Sequence, residues 1–362
     1  MFKKNEKHLQ KSLFSAVNNL PEKQKRRLEE SWAKPFYEEV FCRIDEEIFE
    51  ILYSAKASRP NVPVNILVGL EILKQGNDWT DREMYDQASY NLQVRYALGL
   101  TDLEDHPLEL RSVYNFRKKL VSHMRETGEN LLEVCFEQMT NEQMIKYDVS
   151  GTTQRVDSKQ ISSNIRMGSR LLLLVEVLQR VWRMLTIQDK ASWQTEFASY
   201  TKGSASQYMY RLKGEKHRPK IEEIGALMSQ LVSALADGYG QEEEYLILKR
   251  VYDEHFKEGD DGTKAKENKE LSASNLQAVD DQEASYRHKQ GKGYVGYVVN
   301  VSETVGEQKG DLRLITKVQT APNATEDATL LAETLPDLVE RTGLKKLYTD
   351  CLLYTSPSPR DA

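Results

Sequence analysis

The stretch that decides the fold is residues 152–165, which read TTQRVDSKQISSNI. Its first six residues are rich in β-branched side chains, which predict a short strand that ends at Asp157. Residues 1–147, which precede it, carry apolar side chains at helical spacing almost throughout. The change of periodicity near residue 150 therefore indicates that a second structural region begins there.

The residues after Asp157 predict a sheet that is interrupted by a helical block. The predicted elements are, in order, helices over 169–253, strands at 294–301 and 312–318, a helix near 325–342 and a strand at 344–350. A polar stretch near 257–284 is expected to be flexible. This order indicates a mixed sheet with a hairpin and a crossover helix, whose last strand ends at Asp350.

Local signals place several helices in the N-terminal region. Thr80 followed by Glu83 predicts a capping box that opens one helix. Another helix is expected after Pro63, with its buried side formed by Ile66, Leu67, Leu70, Ile72 and Leu73. A short helix near 110–122 and a long one near 127–147 complete this region.

The composition excludes several classes of protein. Hydrophobic residues make up 39% of the chain and charged residues 29%, which fits a soluble globular protein. No uncharged apolar run is long enough for a membrane span or a signal peptide, so a cytoplasmic location is the expectation. The three cysteines lack CxxC spacing, which argues against a disulfide framework and against structural zinc.

The charge is distributed unevenly along the chain. A net charge of −6 argues weakly against a nucleic-acid partner. However, residues 166–220 hold eleven Lys and Arg against four Asp and Glu, whereas residues 241–283 hold six against thirteen. A local basic surface is what contact with phosphates requires. The same pattern fits a solvated helix face beside an acidic loop, and charge alone leaves both interpretations open.

The two aspartates at strand ends, Asp157 and Asp350, are candidate metal ligands. Two carboxylates on neighbouring strands repel each other, and Mg²⁺ or Mn²⁺ removes that repulsion by binding their hard oxygen atoms. Two such ions can activate a water or a sugar hydroxyl in phosphodiester transfer, which normally needs a third acid as well. Spacing alone is a weak signal, because a strand-end aspartate often accepts hydrogen bonds from nearby backbone amides.

Four stretches resemble bacterial insertion-sequence transposases of the DDE type. Residues 155–165 are similar to the first catalytic motif, in which a small hydroxyl residue and then an Asn-Ile pair follow the aspartate. Residues 281–297 resemble the approach to the second strand, and 347–350 (LYTD) the strand that carries the second catalytic aspartate. Residues 59–120 resemble the helical domain that precedes the catalytic domain. The order of these motifs is more specific than any one of them.

The resemblance implies an α+β fold with α/β character. It implies an all-helical N-terminal domain over 1–147 and a ribonuclease-H-like catalytic domain over 148–350, with a mainly helical insertion at about 163–256 after the first strand. In that domain Asp157 and Asp350 are expected to be catalytic and to hold Mg²⁺ or Mn²⁺ in a two-metal site. The implied activity is DNA strand cleavage and strand transfer at the ends of the element.

The third acid of such a site, usually a glutamate on a later helix, has no counterpart in this chain. Residues 351–362, which read CLLYTSPSPRDA, resemble one reading frame of a sequencing-library adapter. We therefore expect a non-native tail after an incomplete catalytic sheet. A chain without the third carboxylate is expected not to transpose.

Two groups of basic residues are candidates for DNA contact. The first group lies on or beside the short helix near 110–122, which is either a recognition helix or an ordinary basic face: Arg111, Arg117, Lys118 and Lys119. The second group follows Asp157 closely: Arg166, Arg170, Arg180 and Arg183. The expected partners are the terminal repeats of the element and target DNA, with a homodimer as one expected assembly.

Two other functions remain open. A different ribonuclease-H-like nuclease would cut DNA without joining strands. A non-catalytic DNA-binding fragment would occupy the ends of the element without cutting them.

Overall fold

The computed structural model describes residues 1–9, 15, 17–56, 60–100, 102, 109–163, 170–212, 217–259, 262–289, 292–306, 308 and 310–349. The chain divides into two units. Unit 1 consists of Met1–Arg155, Glu303–Lys317 and Leu338–Leu347. Unit 2 consists of Val156–Ser302, Val318–Asp337 and the described residues from Tyr348. Both units therefore combine segments that are distant in sequence.

Capping residues define the helices of the N-terminal region. The helices are α1 (Glu22–Glu29), α2 (Ala33–Glu39), α3 (Val64–Gly76), α4 (Asp81–Tyr90), α5 (Leu92–Ala97), α6 (Leu110–Thr127) and α7 (Leu131–Lys146). Short 3-10 helices occur at Lys7–Leu9, Phe41–Arg43 and Glu46–Leu52. The capping box predicted at the start of α4 is confirmed, because the Glu83 amide donates to the Thr80 hydroxyl and the Thr80 amide donates to the Glu83 carboxylate.

The apolar side of α3 forms the centre of the unit 1 core. Four of the five residues predicted to be buried are buried: Ile66, Leu67, Leu70 and Leu73. The prediction is wrong for Ile72, which is 39% exposed. Positions two residues apart differ by about 200° around a helix, so Ile72 and Leu70 lie on nearly opposite sides.

The main sheet joins distant parts of the sequence. Its strands are β1 (Thr153–Ser162), β4 (Ser285–Lys289), β5 (Lys292–Thr304), β6 (Ile315–Pro322) and β7 (Lys346–Tyr348). The strand order is β4-β5-β1-β7, and β6 also pairs with β5. β2 (Phe256–Gly259) and β3 (Gly262–Ala265) form a separate antiparallel hairpin. The mixed helical and sheet composition agrees with the predicted α+β class.

Backbone hydrogen bonds fix how the strands run beside β1. The Ser163 amide donates to the Val295 carbonyl at 2.9 Å, and the Val305 amide donates to the Thr153 carbonyl at 3.0 Å. β1 and β5 are therefore antiparallel. The amides of residues 345 and 346 both donate to the Thr152 carbonyl, so β7 begins beside the start of β1.

β1 is longer than the sequence predicts. It continues to Ser162, so Asp157 lies in the middle of the strand, and the prediction that the strand ends at Asp157 is wrong. β5 runs from Lys292 to Thr304 and gives the additional residues of β1 a pairing partner. The length of a strand depends on such a partner, which is 130 or more residues away in sequence.

A helical block fills most of unit 2, as the spacing over 169–253 predicts. It comprises α8 (Arg170–Met184), α9 (Ile187–Ser192), α10 (Gln194–Phe197), α11 (Ala205–Arg211), α12 (His217–Tyr239) and α13 (Glu243–His255). α8 buries eight of its fifteen residues in this core. Within the polar stretch at 257–284, which was expected to be flexible, the described residues include β3 and a 3-10 helix at Asn268–Glu270.

One more helix completes the described fold. α14 spans Asp327–Thr342, contains Pro336 and ends before Gly343. Gly343 has a φ of +66°, a left-handed conformation that glycine adopts without the steric cost of a side chain.

Candidate functional site

The alternation of side chains along β1 places Asp157 on an exposed face of the strand. Gln154 and Val156 are buried, whereas Arg155 and Asp157 are exposed. The Oδ1 atom of Asp157 accepts a hydrogen bond from the Ser158 amide at 2.9 Å. Among the residues that the structure describes, no lysine or arginine forms an ion pair with this carboxylate. The carboxylate is therefore accessible to a cation.

The buried side of β1 is held by polar side chains. Gln154 is 0% exposed, and its Nε2 atom donates to the Gly151 carbonyl at 2.9 Å and to the Thr342 hydroxyl at 2.6 Å. Its Oε1 atom accepts from the Thr316 hydroxyl at 2.5 Å. Further along the strand, the Ser158 hydroxyl donates to the buried Asn300 side chain. These contacts fix the register of β1, and a fixed register keeps Asp157 on the opposite, exposed face.

The fit to a metal site can be tested at only one of the two predicted ligands. Asp350 lies outside the described residues. Within the described part of the chain, no three His, Cys, Asp or Glu side chains are grouped so that they could hold a metal ion. Asp157 offers an exposed carboxylate that forms no ion pair with a described residue, which is a type of ligand that Mg²⁺ prefers. The assignment of Mg²⁺ or Mn²⁺ to Asp157 and Asp350 therefore stays a prediction.

The exposed face of α6 carries a row of basic side chains. Arg111, Lys118 and Arg125 are exposed and seven residues apart, so they lie on one side of the helix. We call these three residues the α6 basic row. Arg125 is not among the residues predicted from the sequence, because the predicted helix ends near residue 122. Lys119 is also exposed, and its Nζ atom lies 4.0 Å from the centre of the Tyr53 ring.

Arg117 is held by acidic side chains from two other helices. It forms two hydrogen bonds to Asp81 at 2.7 and 3.0 Å, and a third to Glu71 at 2.7 Å. The hydrogen bonds from Arg117 lower the pKa of Asp81 below its ordinary value. Bidentate pairing of this kind is strong and directional. Arg117 therefore fixes α6 against α3 and α4, while its predicted contact with DNA is untested.

The second group of predicted DNA contacts is heterogeneous. Arg166 lies outside the described residues. Arg170 is half-buried and donates to the main-chain carbonyls of residues 255 and 266. Arg180 forms an ion pair with Asp280. Arg183 is exposed and donates to the Gln179 carbonyl at 3.3 Å. Of the described members, Arg183 presents the most accessible positive charge.

The N-terminal region matches a known protein family. A family model described as Transposase domain (DUF772) matches residues 23–119. This match supports a transposase. The residues that match the transposase domain include α1 from its second residue, α2 to α5 and the first half of α6, with Arg111 and Lys118. Transposases are, in general, DNA-binding and DNA-cleaving enzymes.

The other comparisons give no further identification. Neither the curated proteins nor the solved structures include a match to this chain. None of the helices in the described ranges has the length and apolar content needed to cross a lipid bilayer.

Proposed function

We propose that the chain is a DDE-type transposase of a bacterial insertion sequence. It binds the ends of its element, and its family performs metal-dependent strand cleavage and strand transfer there. The observation that carries the proposal is the transposase-domain match over 23–119, in the same chain as a strand that presents an accessible aspartate at position 157.

The strand order supports the ribonuclease-H-like sheet of the proposal. β5 pairs with β1 and with β6, the strand that follows it in sequence. After β6, α14 leads to β7, which also pairs with β1. The resemblance to DDE transposases implies this arrangement, with a helical insertion after the first strand. The helical block from α8 to α13 occupies the place of that insertion in sequence.

In the proposal, Asp157 and Asp350 share a divalent cation. The amide of Lys345 donates to the Thr152 carbonyl, so the two chain segments enter the sheet side by side. Asp157 lies five residues after Thr152, and Asp350 lies five residues after Lys345. Continued parallel pairing would bring both carboxylates to the same level of the sheet. When bound, the metal ions would activate the attacking oxygen and stabilise the leaving oxygen.

The resemblance to DDE transposases identifies no counterpart of the third carboxylate in this chain. We therefore expect this chain to bind DNA without cutting it. Strand cleavage in Mg²⁺ that disappears in Asp157→Ala would contradict that expectation.

The second candidate function, a DNA-binding protein without catalysis, is favoured by the α6 basic row, because phosphate contacts need no metal.

Binding of Mn²⁺ tests the metal site directly. Titration followed by electron paramagnetic resonance would compare the unmodified chain with Asp157→Asn, which keeps the size of the side chain but removes its charge. Asp237→Asn is the matched control, since Asp237 is an exposed aspartate on α12. We expect Asp157→Asn to lose the tight Mn²⁺ site and Asp237→Asn to keep it. Equal Mn²⁺ affinity in all three proteins would exclude Asp157 as a ligand.

A further inference from the structure

Unit 2 contains a cavity of about 650 Å³ whose lining includes neither Asp157 nor the α6 basic row. Its walls come from α8, the end of α13, the segment after β3, strand β4 and the turn before α14. Four basic side chains and one acidic side chain line it: Arg170, His255, Arg287, His288 and Glu326. A cavity of this size can enclose a small organic ligand.

Arg170 places a positive charge in the wall of the cavity without a carboxylate partner in the described part of the chain. Its Nη1 atom donates to the Lys266 carbonyl at 2.6 Å, and its Nη2 atom donates to the His255 carbonyl. Its Nε atom is buried and forms no hydrogen bond with a residue that the structure describes. The carbonyl groups orient the guanidinium but do not neutralise it. The cavity wall therefore carries a positive charge that no described carboxylate pairs with directly, although the charge of Glu267 acts on Arg170.

His255 is a second polar group without a partner in this wall. It is only 4% exposed, and neither ring nitrogen forms a hydrogen bond with a described residue. Burial lowers its pKa to about 4, and the charges of Arg170 and Lys266 lower it in the same direction. The imidazole is therefore neutral near pH 7. A buried polar group without a partner is costly, and a ligand in the adjacent cavity can reduce that cost.

The other walls complete a site for an anionic ligand. Arg287 and His288 come from β4, and Arg287 pairs with Asp327 at 3.4 Å. Leu173 and Leu276 contribute apolar surface. Apolar walls lower the local dielectric constant and so strengthen the attraction between the arginines and an anion.

We infer that this cavity binds a phosphate group through the charge of Arg170 and Arg287. Phosphate is favoured over a simple carboxylate because it presents more oxygen acceptors and more negative charge to two guanidinium groups. The ligand is either a phosphate of a nucleic-acid backbone or a small phosphate ester, since the chemistry recognised is the same. The inference does not depend on a metal at Asp157, so each can fail without the other.

Calorimetric titration of the full chain with inorganic pyrophosphate tests the inference. Arg170→Gln is expected to weaken binding about tenfold or more, the loss expected for one charged hydrogen-bonding partner. Arg287→Gln, on strand β4 in another wall of the cavity, gives a second variant if Arg170→Gln does not fold. Arg211→Gln is the matched control, because Arg211 also donates to main-chain carbonyls in unit 2 but does not line the cavity.

Two further measurements use the same proteins. In nuclear magnetic resonance titrations, pyrophosphate is expected to raise the pKa of His255 toward its ordinary value, because the anion offsets the charges of Arg170 and Lys266. Arg287 and His288 line the same cavity with and without pyrophosphate. The negative charge of Glu326 would also raise the pKa of His255, but Glu326 is present both with and without pyrophosphate. Short duplex DNA that competes with pyrophosphate identifies a backbone phosphate as the ligand, and simultaneous binding identifies a small ester.

The results of these measurements either support or overturn the phosphate site. Binding that is lost in Arg170→Gln or Arg287→Gln, and retained in Arg211→Gln, supports the site. Absence of pyrophosphate binding to the unmodified chain would overturn it, as would an equal loss in Arg211→Gln or an unchanged His255 titration. The Mn²⁺ result at Asp157 is independent of all these measurements.

Discussion

At the scale of single residues, Asp157 is oriented by its neighbours more than by its own contacts. Gln154 and Ser158 anchor the buried side of β1, and within the described ranges the carboxylate itself accepts one hydrogen bond, from the adjacent amide. A carboxylate that is held in place but unpaired is suited to receive a metal ion, since little has to be displaced.

His255 makes a prediction about stability and pH. Its pKa is about 4 in the folded chain and near 6.5 in an unfolded chain. Between these values the unfolded state binds more protons, so the free energy of unfolding falls as the pH falls. From pH 7 to pH 5 this group is expected to lower the free energy of unfolding by about 2 kcal/mol. Above the pKa that His255 has in the unfolded chain, its stabilising contribution is fully present.

Urea unfolding at both pH values would measure this effect. His255→Phe should lose less stability than the unmodified chain between pH 7 and pH 5. His288→Asn serves as the control, because it removes an exposed histidine and so measures how far the loss of any histidine side chain changes the comparison. The same pH dependence in His255→Phe and in the unmodified chain would show that His255 is not neutralised by burial.

The position and contacts of single functional residues were only partly predictable from the sequence. The sequence identifies Asp157 as a strand residue, but its mid-strand position depends on pairing with β5. Arg117 looks like any other basic residue of its helix until Asp81 and Glu71 are brought beside it. In both examples the deciding partner is distant in sequence, so local propensity does not reveal it.

At the scale of elements, α6 combines an anchored side with an accessible one. Arg117 connects it to α3 and α4, while the α6 basic row faces outward. Local sequence signals predicted many of the helices in the N-terminal region, because capping boxes and apolar spacing act within one or two turns. The end of α6 was not predicted. The helix continues to Thr127, and Gly128 follows it with a φ of +78°.

The α6 basic row predicts a salt-dependent contact with DNA. The double variant Arg111→Gln with Lys118→Gln should bind duplex DNA more weakly. The slope of log affinity against log salt concentration should also fall by about two, because each lost phosphate contact removes roughly one released counterion. Gel-shift titrations at several salt concentrations measure both quantities.

A control with the same change of charge separates a specific surface from a general effect. Lys23→Gln with Arg27→Gln alters two exposed residues of α1. If this pair reduces the salt slope as much as the α6 pair does, the α6 basic row has no special role in DNA binding.

At the scale of the whole molecule, unit 1 is not a continuous piece of sequence. Lys317 pairs with Glu133 at 2.8 Å and also with Glu137, and Arg341 donates to Asn141 at 3.0 Å. Burial opposes the charge of Lys317, but its hydrogen bonds to Glu133 and Glu137 hold its pKa above the ordinary value. Residues near 317 and 341 thus stabilise α7, which ends near residue 146.

Lys317→Met is therefore expected to reduce the free energy of unfolding by about 2 kcal/mol, because it leaves two carboxylates close together without their shared cation. Urea unfolding followed by circular dichroism would measure the loss. Lys345→Met changes an exposed lysine of the same unit and should have little effect. Equal stability of the two variants would mean that the cluster around Lys317 contributes nothing measurable.

The alternation along β1 has a consequence for insertions and deletions. One residue inserted between Thr153 and Val156 would move every later residue of β1 to the opposite face of the sheet. Asp157 would then point inward, and an apolar side chain would point outward. Inserting two residues would restore the original orientation. Tolerance at this position should thus depend on whether the number of inserted residues is odd or even, and much less on which amino acids they are.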